Sequence, residues 1–232
     1  MYLNTDFKRL RYRACLLGLV VLALMVTAEA LVGNSSESSF CTETKECLLY
    51  DPLCMAADYE ERHYNSTKWV STEEKCRMME IAIIKAVRRL HKYFTGTNED
   101  GVKLDMTAPM MVRMQNKAGT FSPSVYTVSF LLPSAYQESP PTPIDPELYF
   151  THMPDMDVYV MRFGGWMNSL AISYYSHSLK KDLDRAQASY RKLSHYVLGY
   201  DGPMKIFNRH NEICHWTPGN PRFTTWLFFH LD

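Results

Sequence analysis

The sequence predicts an α+β fold in which one antiparallel sheet system carries two helices on its outside. Two observations support this prediction: a strand–helix–strand–strand order occurs twice, and each repeat contains one apolar stripe of helical period. The repeat predicts two halves related by pseudo-symmetry. The chain has 232 residues and is 46% hydrophobic, which suits one domain with extensions.

The first 30 residues have the pattern of a signal peptide. Basic residues from Lys8 to Arg13 precede an apolar run, Ala14–Val26, that is too short for a comfortable membrane span. Ala28-Glu29-Ala30 then supplies the small-x-small pattern of a cleavage site. We predict cleavage after Ala30, the alternative being an uncut signal anchor. The mature protein is then expected to be secreted, with no stable membrane span.

Residues 31–57 form a predicted N-terminal extension that carries cysteines. The cysteines of the mature chain are Cys41, Cys47, Cys54, Cys76 and Cys214. In an oxidising compartment they should pair, and their odd number leaves one unpaired or bonded to another chain. Their spacings differ from the C-x-x-C knuckles of zinc sites, so we expect disulfides that tie the extension to the domain. Asn34 and Asn65 begin glycosylation triplets.

The first half of the domain begins with a predicted strand over Tyr59–Val70, interrupted around Asn65-Ser66. Ser71 and Glu74 have the spacing of a helix capping box. A helical stripe follows, formed by Met79, Ile83, Val87, Leu90 and Phe94. Gly96 is placed to end this helix.

The segment Lys103–Met114 contains Pro109, which predicts an edge strand or two short strands with a bulge. The methionines of this segment are Met106, Met110, Met111 and Met114. They could form a soft-metal or heme-iron site, but adaptable packing is the preferred interpretation. Val125–Leu132 alternates as a half-buried strand, and Pro133–Pro146 is a proline-rich loop.

The second half repeats this order. Its predicted elements are strands at Leu148–Met153 and Val158–Phe163, a helix at Met167–Leu183, and strands at His195–Tyr200 and Glu212–Trp216. Residues 217–232 form an aromatic tail. The tail is too apolar to extend freely into solvent, so we expect it to dock on the domain or on a partner.

Five motifs occur in a characteristic order between residues 58 and 216. They are Tyr59-Glu60-x-Arg62-His63-Tyr64, Met106-Thr107-Ala108-Pro109, Phe163-Gly164-Gly165, Gly199-Tyr200-x-x-Pro203-Met204-Lys205 and Asn208-Arg209-x-Asn211-Glu212. Together they resemble the SOUL heme-binding protein family. The resemblance implies a distorted antiparallel β-barrel of two like halves with two long outer helices.

The resemblance also implies non-covalent binding of heme or another tetrapyrrole in an apolar groove, as a carrier or scavenger. In SOUL-type proteins a histidine of the Arg-His-Tyr motif has been put forward as an iron ligand, and here that residue is His63. In a regular strand His63 shares a face with Asn65, so a glycan on Asn65 would bring His63 to solvent. A bulge at Asn65-Ser66 would allow His63 to point inward.

Other functions have weaker support in the sequence. The chain has no C-x-x-C-H motif for covalent heme and no enzyme motif that we recognise, so no catalytic residue is predicted. With 25 basic and 25 acidic residues, its formal net charge is zero, which gives no electrostatic reason to expect nucleic acid as a partner. The alternative function is a secreted interaction module that binds no heme and engages a protein partner through its tail or its odd cysteine.

Overall fold

The structure is a computed structural model that describes residues 32–115, 123–192 and 194–217. The predicted signal peptide and residues 218–232 of the aromatic tail lie outside the described residues. The strands are β1 Val32–Asn34, β2 Glu46–Leu48, β3 Asp51–Met55, β4 Glu60–Tyr64, β5 Thr67–Cys76, β6 Thr107–Ala108, β7 Met110–Gln115, β8 Ser124–Leu131, β9 Tyr149–Met153, β10 Met156–Phe163, β11 Ser194–Gly199 and β12 Asn211–Trp216. The helices are α1 Met79–Phe94 and α2 Ser169–Ala186, with 3-10 turns at Ser35–Glu37 and Ser134–Tyr136.

Nine strands form one antiparallel sheet in the order β3-β4-β10-β12-β11-β7-β8-β5-β9. The predicted α+β class, with an antiparallel sheet and two helices, is therefore confirmed. The expected barrel closure is not found among the described strands, because the order is open and β3 and β9 are its edges. β3, from the N-terminal extension, pairs with β4 and covers the edge that β4 would otherwise expose.

The six central strands of the sheet have a symmetric order. β5, β8 and β7 lie side by side in the first half, as β10, β12 and β11 do in the second. The two groups meet where β7 pairs with β11, with Val112 opposite Val197. Each group has a helix between its first and second strands in the chain. A twofold relation in space between the halves stays a prediction.

One face of the sheet packs against both helices. The apolar helix residues buried there are Met79, Ala82, Ala86, Leu90, Tyr93, Phe94, Ile172, Leu179 and Leu183. The buried stripe of α1 is therefore centred nearer to Ala82 and Ala86 than the predicted stripe is. The small side chains of these two residues let the helix approach the sheet closely. Gly96 follows the helix with a φ of 109°, a left-handed conformation that suits glycine.

Two local predictions are changed by the structure. The prediction that Ser71 and Glu74 form a helix capping box is wrong, because β5 continues to Cys76 and α1 starts at Met79. Ser71 is buried, with its hydroxyl 2.7 Å from that of Ser129, in a strand paired on both sides. Sheet pairing and burial thus outweigh a local cap. At Pro109 the two-strand alternative is confirmed, but β7 lies inside the sheet and not at its edge.

The opposite face of the sheet supports a second core, which includes part of the N-terminal extension. The sheet residues of this core include Tyr64, Trp69, Leu131, Val160, Tyr196, Leu198, Tyr200 and Cys214. Val32, Cys41, Cys47 and Leu48 of the extension pack against them. Residues 32–55 therefore complete the hydrophobic core of the domain.

The extension is attached to the domain differently from the prediction. The Cys41–Cys47 disulfide, with a Cα–Cα distance of 6.3 Å, confirms a disulfide but lies wholly within the extension. This bridge therefore does not tie the extension to the domain. Backbone pairing does so, since β2 pairs with β6 and β3 pairs with β4.

A buried ion pair connects the first strand of the domain to the last. Arg62 on β4 lies 3.0 Å from Glu212 on β12, and both side chains are 0% exposed. Arg62 also donates to the Tyr64 hydroxyl at 3.0 Å, and the Tyr200 hydroxyl donates to Glu212 at 2.9 Å. Tyr50 of the extension lies over the guanidinium, with its ring centroid 3.9 Å from Cζ.

Two further groups complete this network. Glu60 accepts from Arg62 Nε at 2.9 Å, and His210 Nε2 lies 2.8 Å from the Glu212 carboxylate. Burial alone would raise the pKa of Glu212. The facing Arg62 and the His210 ring instead hold that pKa below its ordinary value of 4.5. A carboxylate with a lowered pKa stabilises the fold above about pH 4.5, and this stabilisation is lost as the pH falls.

Replacing Glu212 by Gln is expected to lower the free energy of unfolding by about 3 kcal/mol at pH 7, because Arg62 is left without its main buried counter-charge. The free energy of unfolding of the variant should also fall less than that of the parent below about pH 4.5, because the variant no longer has this carboxylate to protonate. Urea titrations at several pH values measure both effects. The control is Glu138→Gln at an exposed carboxylate. Equal stability of the two variants at pH 7 would contradict the structural role of the pair.

Replacing Leu48 by Ala is expected to lower the free energy of unfolding by about 2–4 kcal/mol, because it removes a buried side chain from the second core. The matched control is Met55→Ala, at a residue of the same extension that is 76% exposed. Thermal and urea unfolding measure the difference. If both variants were as stable as the parent, the extension would not be part of the folding unit.

Candidate functional site: a cleft between the second helix and the sheet

A cleft of about 470 Å³ lies where α2 and the start of α1 meet the sheet. Its lining residues are Met79, Met114, Tyr126, Ser169, Ile172, Ser173, Ser176, His177, Lys180 and His195. The volume is within the ~300–1,000 Å³ that small-molecule sites usually have. One wall is the polar side of α2, whereas the sheet side is mostly apolar.

The sheet side of the cleft is a row of three side chains on adjacent strands. His195 on β11 is directly opposite Met114 on β7, and Met114 is opposite Tyr126 on β8. Opposite residues of antiparallel strands point to the same face. The register of β11 against β7 therefore places a nitrogen donor, a thioether and an aromatic ring side by side.

His195 is the chemically distinctive group of this row. Its Nε2 is buried and has no hydrogen-bond partner among the described residues, which is unusual for a buried polar atom. Burial, the His215 ring and the Lys180 ammonium lower the pKa of His195 to about 4. The imidazole is therefore neutral near pH 7, and a neutral imidazole has one ring nitrogen with a free lone pair.

The α2 wall contributes positive charge and is held in place at its N-terminus. Lys180 and His177 are the cationic or titratable side chains of this wall. Asn168 caps the helix by accepting from the backbone N–H of Ala171 at 2.9 Å. The backbone N–H of Ser169 donates to Glu80 of α1 at 2.9 Å, and this bond lowers the pKa of the Glu80 carboxyl. The two helices are thus linked beside the cleft.

His63, the predicted iron ligand, lies away from this cleft and lines neither of the two cavities described here. Its Nδ1 is 2.6 Å from Asp157 and its Nε2 is 3.3 Å from Asp155, and the side chain is 22% exposed. Burial lowers the pKa of His63, but these carboxylates outweigh it and the net shift is upward. Both ring nitrogens therefore face carboxylates. The ligand role of His63 stays a prediction.

The two predicted glycosylation sites are in different surroundings. Asn34 is exposed, and its side chain accepts from the backbone N–H of Ser36 at 2.9 Å. Asn65 is half-buried in the break between β4 and β5, where it hydrogen-bonds His63. Glycosylation of both residues stays a prediction.

A second cavity lies in the other core and has a volume of only about 30 Å³. Tyr64, Trp69, Met111 and Cys214 are among its lining residues. Such a space holds about one water molecule. A tetrapyrrole does not fit there without moving the core.

The methionines of the Lys103–Met114 segment do not form a cluster. Met111 belongs to the second core, whereas Met110 and Met114 pack on the helix-covered face and Met106 is exposed. The described residues also contain no group of three or more His, Cys, Asp or Glu side chains that could hold a metal ion. Only Met114 reaches the cleft, which agrees with packing as the main role of these residues.

Sequence reasoning missed the residues that form the cleft. The sequence pattern predicts only that His195 starts a strand, because it is one of eight histidines and has no motif around it. The alternation His195, Val197, Gly199 could have indicated the helix-covered face. The proximity of His195 to Met114 and to Lys180 could not have been inferred, since it depends on the strand register and on the placement of α2.

The free thiols of the described residues are Cys76 and Cys214. Cys214 is buried in the second core, and burial raises the pKa of its thiol well above the ordinary value. Cys76 is half-buried at the end of β5. Of these two, Cys76 is therefore the more accessible to another chain.

An antiparallel sheet with two helices on one face defines an α+β domain. A model of the SOUL heme-binding protein family matches residues 45–216, so the chain belongs to that family. The match starts inside the predicted extension. In the described part of the chain, no helix combines the length and apolar character that a membrane span requires.

Named relatives agree with the family assignment. The chain is 32% identical over 155 residues to heme-binding protein 2 of Homo sapiens, covering 67% of this chain and 76% of that one. It is 33% identical over 157 residues to heme-binding protein 1 of Xenopus tropicalis, covering 67% and 81%. The cryo-EM structure of an EcmrR–DNA complex shares the fold, with a TM-score of 0.51 and 13% identity, covering 91% and 68%.

Under native conditions, N-ethylmaleimide is expected to label Cys76 much faster than Cys214, because Cys214 is buried and burial raises the pKa of its thiol well above the ordinary value. Peptide mapping by mass spectrometry after a timed reaction measures this difference. Labelling in denaturant, where both sites should react, is the control. Rapid native labelling of Cys214 would contradict its placement in the second core.

Proposed function

We propose that this protein binds heme or a related tetrapyrrole non-covalently in the cleft beside α2, as a secreted carrier or scavenger. The family assignment supports tetrapyrrole binding at the level of the family. The observation that carries the choice of site is the size of the cleft, about 470 Å³, against about 30 Å³ for the other cavity described here.

The cleft residues suit the chemistry of an iron porphyrin. Met79, Met114, Tyr126 and Ile172 offer apolar and polarisable surface to a flat macrocycle. Lys180 offers an ammonium to the carboxylates at the porphyrin edge. A bound heme would supply an iron that accepts an axial nitrogen donor.

The location proposal has separate support. The sequence begins with a signal-peptide pattern and contains two glycosylation triplets. The Cys41–Cys47 disulfide is of a kind that persists in oxidising compartments. A role in transport or sequestration and not in catalysis is proposed because the cleft contains no nucleophile paired with a base that we recognise.

His63 is poorly suited to act as an iron ligand in this arrangement. To coordinate iron, His63 would have to give up a contact with Asp157 or Asp155 and release the proton that these carboxylates favour. We therefore expect His63→Ala to change hemin affinity by no more than about threefold, which corresponds to well under 1.4 kcal/mol.

Hemin titration of the purified protein tests the proposed site. Ser173 is exposed and lines the cleft, so Ser173→Trp should fill part of the cleft and weaken hemin binding by at least about tenfold. The matched control is Tyr174→Trp, which places the same side chain on the same helix at a residue that is 69% exposed and outside the cleft lining. Soret absorbance and tryptophan quenching give the affinities.

Three outcomes are informative. Weaker binding by Ser173→Trp alone supports the cleft as the site. Equal binding by both tryptophan variants would place the tetrapyrrole elsewhere on the protein. Binding no stronger than that of an unrelated protein with similar exposed apolar area would favour the alternative, a secreted interaction module.

A further inference from the structure

We propose that this protein binds the surface of lipid bilayers through the loop of residues 203–208, which inserts its apolar side chains between the lipid headgroups. The loop lies in the connection from β11 to β12, and none of its residues lines the cleft beside α2. Bilayer binding is therefore independent of the proposed function. The feature that the loop recognises is the boundary between hydrocarbon and headgroups, where apolar side chains leave water.

The large apolar side chains of this loop are strongly exposed. Met204 is 88% exposed, Phe207 is 79% exposed and Ile206 is 64% exposed, although side chains of these types are usually buried. Single exposed apolar residues are common on soluble proteins and need no partner. Three of them within four positions form an apolar cluster, and such clusters mark surfaces that bind a protein or a membrane.

The charge within the loop is turned back toward the body of the protein. Lys205 is the only charged residue in the sequence from 203 to 208. Its ammonium contacts the carboxylate of Asp201, whose side chain has no exposed surface, and it donates to the Thr42 hydroxyl at 3.1 Å. The outer part of the loop is therefore left mainly to apolar side chains.

The loop backbone is largely hydrogen-bonded within the protein, and this favours a lipid over a protein as the occupant. Arg209 donates to the carbonyls of Gly202 at 2.7 Å, Lys205 at 2.6 Å and Asp201 at 2.9 Å. Pro203 has no N–H to satisfy. Backbone groups that approach hydrocarbon must be paired internally, because no water replaces the lost bonds. A protein partner would supply hydrogen bonds of its own.

A cation and an aromatic ring lie together at the base of the loop. The Arg209 guanidinium lies over the Trp166 ring, with Cζ 4.3 Å from the ring centroid, and Trp166 is half-exposed. The hydrogen bonds of this guanidinium within the described residues go to backbone carbonyls, so they leave its positive charge uncancelled. Tryptophan and basic side chains are typical anchors at the level of lipid headgroups.

The loop is fixed to the domain from two sides. The backbone N–H of Gly202 donates to Glu43 of the extension. On the other side, the Asn211 side chain donates to the Gly165 carbonyl at 2.8 Å, in the turn that carries Trp166. A loop held in this way inserts without first having to become ordered, which lowers the entropic cost of binding.

Binding of the purified protein to phosphatidylcholine vesicles, measured by co-sedimentation, tests the role of the loop. Ile206→Ser combined with Phe207→Ser is expected to weaken vesicle binding by at least about tenfold, because two inserted side chains are lost. The matched control is Met55→Ser combined with Ile144→Ser, which removes two exposed apolar side chains outside the loop. This control should change vesicle binding by less than about twofold. Circular dichroism establishes that both variants are folded.

A second measurement reports the depth of the loop in the bilayer. Phe207→Trp keeps an apolar ring at the tip, and its added fluorescence should be quenched by lipids that carry bromine on their acyl chains. The control is Ile144→Trp, which places the same fluorophore at an exposed residue outside the loop. Its added fluorescence should not be quenched, because tryptophan at this residue stays in water.

Three results would overturn bilayer binding through this loop. They are the absence of vesicle binding by the parent protein, equal binding by the parent and the loop variant, and fluorescence of Phe207→Trp that brominated lipid leaves unchanged. If the parent binds no vesicles but forms a dimer in analytical ultracentrifugation that the loop variant loses, the occupant is a second copy of the chain. None of these measurements involves hemin, so they can fail while tetrapyrrole binding stands, and the reverse.

Discussion

The buried Arg62–Glu212 ion pair is the interaction on which much of this architecture depends. An arginine without exposed surface needs a counter-charge and hydrogen bonds, and these come from β4 and β12. His210 in turn contacts the Glu212 carboxylate. The pair therefore links β4, near the edge of the sheet, to β12, beyond β10. Tyr50 lies over the guanidinium, so the same charge also holds the extension.

This arrangement leaves more open space on one face of the sheet than on the other. The face that contains the ion pair is filled by Tyr64, Trp69 and Tyr200 and by residues of the extension, and its cavity is of the size of one water molecule. On the other face, a cleft of about 470 Å³ remains between α2 and the sheet. A tetrapyrrole is therefore expected on the helix-covered side.

The two histidines show how much the surroundings change one side-chain type. His63 lies between two aspartates, which favour its charged form and engage both nitrogens. His195 is buried near Lys180 and His215, which favour its neutral form. The motif that contains His63 helps to identify the family of the chain. Whether a histidine is charged or neutral, however, depends on neighbouring charges that come from distant segments. The local pattern around a histidine does not contain that information.

The sequence by itself determined the family, the two helices, the antiparallel strands, the break at Asn65-Ser66 and the separation of strands at Pro109. These features depend on local periodicity, on backbone restrictions and on motifs, which neighbouring residues carry. Only the tertiary structure decided that β5 continues through Ser71, that β2 and β3 of the extension pair with β6 and β4, and that His195 lies beside Met114 and Lys180. Those outcomes depend on strand register and long-range burial, because residues far apart in the chain compete for the same surfaces.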